Sequence, residues 1–115
     1  MSDLVGSYVD RFGNTVVLTG RQWREHLLPK HREMEPLLWC FPRVLSSPSG
    51  VTRDTAVSTT RCYYLRGIVP QRVVKIVVDF PPDDPTAPLF SSVVGIILTA
   101  FLAVGVKTKE QRLWP

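Results

Sequence analysis

The chain has 115 residues, 44% hydrophobic and 21% charged, with 14 Lys and Arg against 10 Asp and Glu for a net charge of +4. That length holds one hydrophobic core, so a single domain over residues 1–115 is expected, and the composition excludes a disordered tail. The positive excess suits a polyanionic partner such as nucleic acid, and is equally ordinary in a small protein that has none.

In chain order, Leu4 to Val9 and Asn14 to Thr19 are short β-type runs around Asp10-Arg11-Phe12-Gly13. Gly13-Asn14 tolerates positive φ, so the pair predicts a hairpin. Thr19 is placed to cap a helix with the body Arg21 to Leu28, which ends or kinks at Pro29 because proline has no N–H to donate. A second helix is expected from near Arg32, with Glu33 and Glu35 in the first turn, where the helix dipole favours negative charge. Leu37, Leu38 and Phe41 supply its apolar stripe, and Ser46-Ser47-Pro48-Ser49-Gly50 closes the helical half.

The remainder is β in character. Thr59 to Arg66 predicts one strand and Gly67 to Pro70 a turn. Arg72 to Phe80 predicts the next strand, with Val74, Ile76, Val78 and Phe80 facing one way and Lys75 and Asp79 the other. Pro81-Pro82-Asp83-Asp84-Pro85 with Thr86-Ala87-Pro88 reads as a rigid loop. Ser92 to Leu102 is expected to be the central, most buried strand, and Lys107 to Pro115 a polar end. Helices followed by strands with tight turns mean an α+β fold with an antiparallel sheet.

Compartment and metal use follow from simple counts. Cys40 and Cys62 stand in apolar surroundings with no CxxC or Cys/His cluster, which reads as core filler rather than a zinc site or disulfide framework. Met1-Ser2-Asp3-Leu4 is not the basic start of a secretory signal, so a cytoplasmic location is expected. Val93 to Val106 is apolar with Lys107 and Lys109 behind it, but a spanning helix needs about 20 residues. Its β-branched content predicts a buried strand and no membrane.

Few residues suit chemistry. The only two histidines, His26 and His31, lie in Trp23-Arg24-Glu25-His26-Leu27-Leu28-Pro29-Lys30-His31. Histidine trades protons near neutral pH, and RNA cleavage needs a base and an acid together. On one continuous helix the pair would stand about 140° apart, flanking the Trp23/Leu27 face, and the break at Pro29 can change that. A structural or surface role for both stays open. In Arg61-Cys62-Tyr63-Tyr64, alternation sends Arg61 and Tyr63 to one face and Cys62 and Tyr64 to the other. Arginine offers a charged fork for phosphate and tyrosine a hydroxyl and a stacking face, although β-propensity alone also accounts for the pair. Thr99 carries a hydroxyl into an apolar run and needs a partner, either backbone or a phosphate oxygen. Lys75, between valine and isoleucine, is expected to reach solvent or a cleft with its ammonium. No Walker loop, GxSxG or His-Glu-x-x-His is present, and Asp83-Asp84 sits in the proline loop.

The pieces Asp10-x-x-Gly13, Val17-Leu18-Thr19, Trp23-x-x-His26, His31-x-Glu33, Pro48-x-x-Val51, Tyr63-Tyr64, Thr99-Ala100 and Leu113-Trp114 occur in that order over nearly the whole chain. In this the sequence resembles the phage-associated branch of the barnase–EndoU–colicin–RelE-like nuclease superfamily. The resemblance implies a helical N-terminal part on an antiparallel sheet of about four strands, with the active cleft on the sheet. It implies cleavage of RNA without metal or cofactor, often as a toxin, with RNA and an antitoxin or immunity protein as partner classes. His26 and His31 match the family's helix histidines, Arg61, Tyr63 and Tyr64 its strand positions, and Thr99 the Thr of its Thr-Ala pair. Arg32 stands where the family usually has proline, and Phe101 where it commonly has tyrosine.

The mechanism expected on this basis starts with a histidine, preferably His26, removing the ribose 2′-OH proton. The oxygen attacks phosphorus to give a 2′,3′-cyclic phosphate. Arg61 stabilises the developing charge, His31 or a tyrosine protonates the leaving 5′-oxygen, and Thr99 orients a phosphate oxygen. Lys75, Tyr64 and Lys107 are the expected substrate-binding residues. The alternative is a phage-associated module of the same fold that binds nucleic acid or protein without turnover.

Overall fold

The computed structural model describes residues 3–54, 59–81, 94–105 and 111–114. Among them, seven strands form one sheet: β1 (Leu4–Val9), β2 (Thr15–Thr19), β3 (Gly50–Arg53), β4 (Thr60–Arg66), β5 (Val73–Asp79), β6 (Val94–Ala103) and β7 (Gln111–Trp114). Their order across the sheet is β1-β2-β6-β5-β4-β3-β7. Every pairing is antiparallel except β2 with β6.

The chain is α+β, but the sheet has seven strands rather than about four. Two of the additions, β3 and β7, are four residues long, too short to carry a legible alternation. The hairpin β1–β2 does not stand apart: it joins the sheet through the parallel register Thr15↔Val94, Val16↔Gly95 and Val17↔Ile96. A parallel pairing between strands so distant in sequence leaves no local signal.

Between β2 and β3 the chain is helical in two segments. A π-type stretch, Gln22–Leu27, runs into a short α-turn, Leu28–Lys30. Thr19 Oγ1 accepts the Gln22 N–H at 3.1 Å, as expected of a cap. Pro29 offers no N–H, and the chain leaves the helix two residues later at His31, with φ −137° and ψ 64°. A 3₁₀ stretch, Arg32–Cys40, then runs into an α-turn, Phe41–Ser46.

These segments cover one face of the sheet. Trp23, Leu27, Met34, Phe41, Val44 and Leu45 meet Val16, Leu18, Tyr63, Ile76, Val78, Ile97 and Ala100 in the main core. The opposite face carries a smaller cluster of Cys62, Tyr64 and Val73, with Val77 against it. The two cysteines are buried, Cys40 in the first cluster and Cys62 in the second. The central and most buried strand is β5, not β6. In β6 the residues Val94, Ile96 and Leu98 are exposed. Within the apolar run, Val94–Ala103 thus supplies an alternating strand, and no helix among the described residues is long and apolar enough to cross a membrane.

Two local features shape β6. Val77 pairs with Thr99 while Val78 pairs with Ile97, so Leu98 is an extra, bulged residue. Its carbonyl accepts the side-chain amide of Gln22, which ties the first helical segment to the strand. Gly95 lies under Val78 and Phe80, where an added Cβ would come within 2.7 Å of both side chains. Gly95→Ala is therefore expected to destabilise the protein by about 1–3 kcal/mol in urea denaturation. Gly105→Ala, with nothing near its Cβ position, is expected to be close to neutral.

Candidate functional site

Alternation along β4 divides the chemistry-bearing residues between the two faces. Arg61 and Tyr63 face the helices. The Tyr63 hydroxyl, fully buried, donates to Asp10 Oδ2 at 2.5 Å. Asp10, only 4% exposed, also accepts the Phe12 and Asn14 backbone N–H groups on Oδ1 at 2.9 and 2.7 Å. The Asn14 amide reaches Oδ2 at 3.3 Å. Asp10 thereby builds the hairpin turn, which also needs the positive φ of 86° at Gly13. Burial pushes the Tyr63 phenol up strongly, and the hydrogen bond and negative charge of Asp10 push it further, while Arg61 opposes them. The Arg61 guanidinium lies over the rings of Phe80, at 4.7 Å, and Phe12, at 5.8 Å.

The opposite face holds a second group. Tyr64, Lys75 and Phe101 are direct cross-strand neighbours on β4, β5 and β6. Lys75 Nζ lies 5.2 Å from the Tyr64 ring centre and 5.5 Å from that of Phe101. The His31 ring stacks on Phe101 at 5.2 Å and 27°. Thr99 precedes Phe101 by two positions and faces the same way. Glu33 Oε1 is 3.6 Å from His31 Nδ1. His31, Thr99 and Phe101 are half-buried, whereas Tyr64 is fully buried. Lys75, expected to reach solvent or a cleft, is only 4% exposed, and its ammonium lies near two aromatic faces.

The structure thus brings His31, Tyr64, Lys75 and Thr99 to one face and Arg61 and Tyr63 to the other. His26 joins neither group. It is exposed beside the buried Trp23 and Leu27, and the break after Pro29 carries only His31 round to β6. Lys107 and the Asp83-Asp84 pair lie outside the described residues. Asp10 and Phe101 are the two residues whose part the sequence did not disclose. An Asp three residues before Gly signals an Asx turn, but not the distant tyrosine that the same carboxylate holds.

No protein-family model, curated protein or solved structure matches this chain. Among the described residues, no three His, Cys, Asp or Glu side chains come together in a way that would hold a metal ion. An open hollow of about 520 Å³ lies at the β4–β5 turn, lined by Arg66, Ile68, Arg72, Val73 and Val104 among others. None of the expected site residues lines it.

The Tyr63–Asp10 contact has a measurable pH signature. A phenol held protonated in the folded state and ionising near pH 10 when unfolded gives stability that is constant below pH 10 and falls above it. Tyr63→Phe is expected to cost about 1–3 kcal/mol at pH 7, because Asp10 keeps a buried acceptor without its donor. In denaturation at a series of pH values, the gap between wild type and Tyr63→Phe should narrow from pH 10 upwards.

Proposed function

We propose that this chain is a metal-independent ribonuclease of the barnase–EndoU–colicin–RelE-like kind, acting at the sheet face opposite the helices. The observation that carries the reading is the continuous row His31–Phe101–Lys75–Tyr64, with Thr99 beside it. It combines a proton-trading group, a stacking face, a cation and a hydroxyl within three neighbouring strands. The ordered sequence motifs and the net charge of +4 support it independently.

In this mechanism the base is His31 rather than His26. A nucleotide base stacks at the half-buried Phe101 edge, and His31 removes the ribose 2′-OH proton. The 2′-oxygen attacks phosphorus, the bond from phosphorus to the 5′-oxygen breaks, and the leaving oxygen takes a proton from water. The products are a 2′,3′-cyclic phosphate end and a 5′-hydroxyl end. Lys75 acts from beneath, where its charge is little screened by solvent, and Thr99 donates to a phosphate oxygen. Glu33 steadies the imidazole from the Nδ1 side.

A second reading, a nucleic-acid- or protein-binding module without turnover, draws on the separation of His26 and Arg61 from this row. One experiment discriminates the two. With RNA in excess EDTA, the enzyme reading expects cyclic-phosphate ends and no cleavage of DNA. His31→Ala should lower the rate by about 100-fold or more, and His26→Ala by about threefold at most. Loss of cleavage on chelation, or a larger effect at His26 than at His31, rejects the mechanism. RNA binding with no cleavage under any condition favours the module.

A further inference from the structure

The helix-bearing face presents a feature that the reading above does not use. Arg53 on β3 and Arg61 on β4 are direct cross-strand partners. Both share the face of Val51 and Tyr63, so two permanently charged side chains leave the sheet from neighbouring positions on one face. Like charges directly opposite in a sheet are unfavourable unless something answers them. Among the described residues, no ion pair includes either arginine. The nearby carboxylate, Asp10, is already occupied by Phe12, Asn14 and Tyr63.

Arg53 Nε is buried and has no hydrogen-bond partner. A buried donor on a permanent cation is seldom left unanswered. Arg61 has its planar face against Phe80 and Phe12 and gives one hydrogen bond to the Tyr63 hydroxyl, so its remaining edge N–H groups are the means of binding. Both side chains are half-buried rather than sealed in the core, and Phe12 beside Arg61 is exposed.

We propose that Arg53 and Arg61 form a binding site for a phosphate dianion, free or as a terminal phosphomonoester. The charge selects the class. Two guanidinium groups carry two positive charges, which a carboxylate or an internal phosphodiester neutralises only by half. A phosphomonoester carries about −1.5 to −2 near pH 7 and offers three acceptor oxygens for the two forks. The site is on the opposite face from His31 and Lys75, and it stands or falls independently of RNA cleavage.

The test measures binding of inorganic phosphate to the wild-type protein by calorimetry, against chloride at matched ionic strength. The arginine Nε–H resonances are followed by NMR in the same titration. The expected result is saturable phosphate binding with a shift of the Arg53 Nε–H signal. Arg53→Gln should weaken binding by about tenfold or more while the RNA-cleavage rate, if present, is unchanged. Two further titrants separate the sources: adenosine 5′-monophosphate for a terminal monoester, and a short oligodeoxynucleotide with hydroxyl ends for internal diesters. Binding of phosphate alone assigns a free-ion site, and binding of the monophosphate as well assigns a terminal-phosphate site. Preference for the diester strand over both overturns the proposed class. No phosphate-specific binding, an unmoved Arg53 signal, or undiminished binding in Arg53→Gln overturns the site itself.

Discussion

One hydrogen bond, from the Tyr63 hydroxyl to Asp10, joins the tip of the β1–β2 hairpin to the middle of the sheet across 53 residues of sequence. It fixes which side of β4 belongs to the helices. Side chains alternate along a strand, so a shift of one residue would send every neighbour to the other face. With Tyr63 turned towards Asp10, Arg61 must follow it and Tyr64 must point away. The division of charged and aromatic residues into two groups is the consequence of that single orientation.

The opposite face then acquires its character from the residues opposite Tyr64. Lys75 falls between two aromatic rings because β5 pairs with β4 and β6 in the registers that set Tyr64, Lys75 and Phe101 side by side. The contribution of the helical layer is small but decisive. The chain breaks out of the helix at His31, and the imidazole lands on Phe101, while His26 remains on the outer surface. A cation buried beneath a stacking platform, with an imidazole at its rim, combines a charge, a stacking face and a proton-trading group, which are the kinds of group that phosphodiester cleavage uses. That combination underlies the proposed ribonuclease reading.

Much of this was legible in the residues, and the failures have identifiable causes. The hairpin, both helical segments and the strands around Tyr63, Ile76 and Ala100 follow from alternation, capping and proline. The opposing faces of Arg61 and Tyr64, and of Val74 and Lys75, follow from period-two spacing. What escaped were properties set by distant pairing. The short strand at Thr52 has too few residues to show a period. The parallel contact of Val17 with Ile96 has no local trace, and it turns an isolated hairpin into part of a seven-stranded sheet. The apolar content of β6 suggested full burial, yet the strand lies off centre and shows Ile96 and Leu98 to solvent. The placement of the histidines depended on the backbone at one residue, His31, whose dihedral angles no helical projection could supply.

The central claim is that the imidazole at the β6 edge, and not the one on the outer helical surface, faces the nucleic acid. NMR mapping with a 2′-O-methyl RNA oligonucleotide, which binds without being cleaved, tests it most directly. The account predicts perturbed signals for His31, Thr99 and Phe101, with the His26 ring unchanged. Perturbation of His26 with a silent His31 would contradict it.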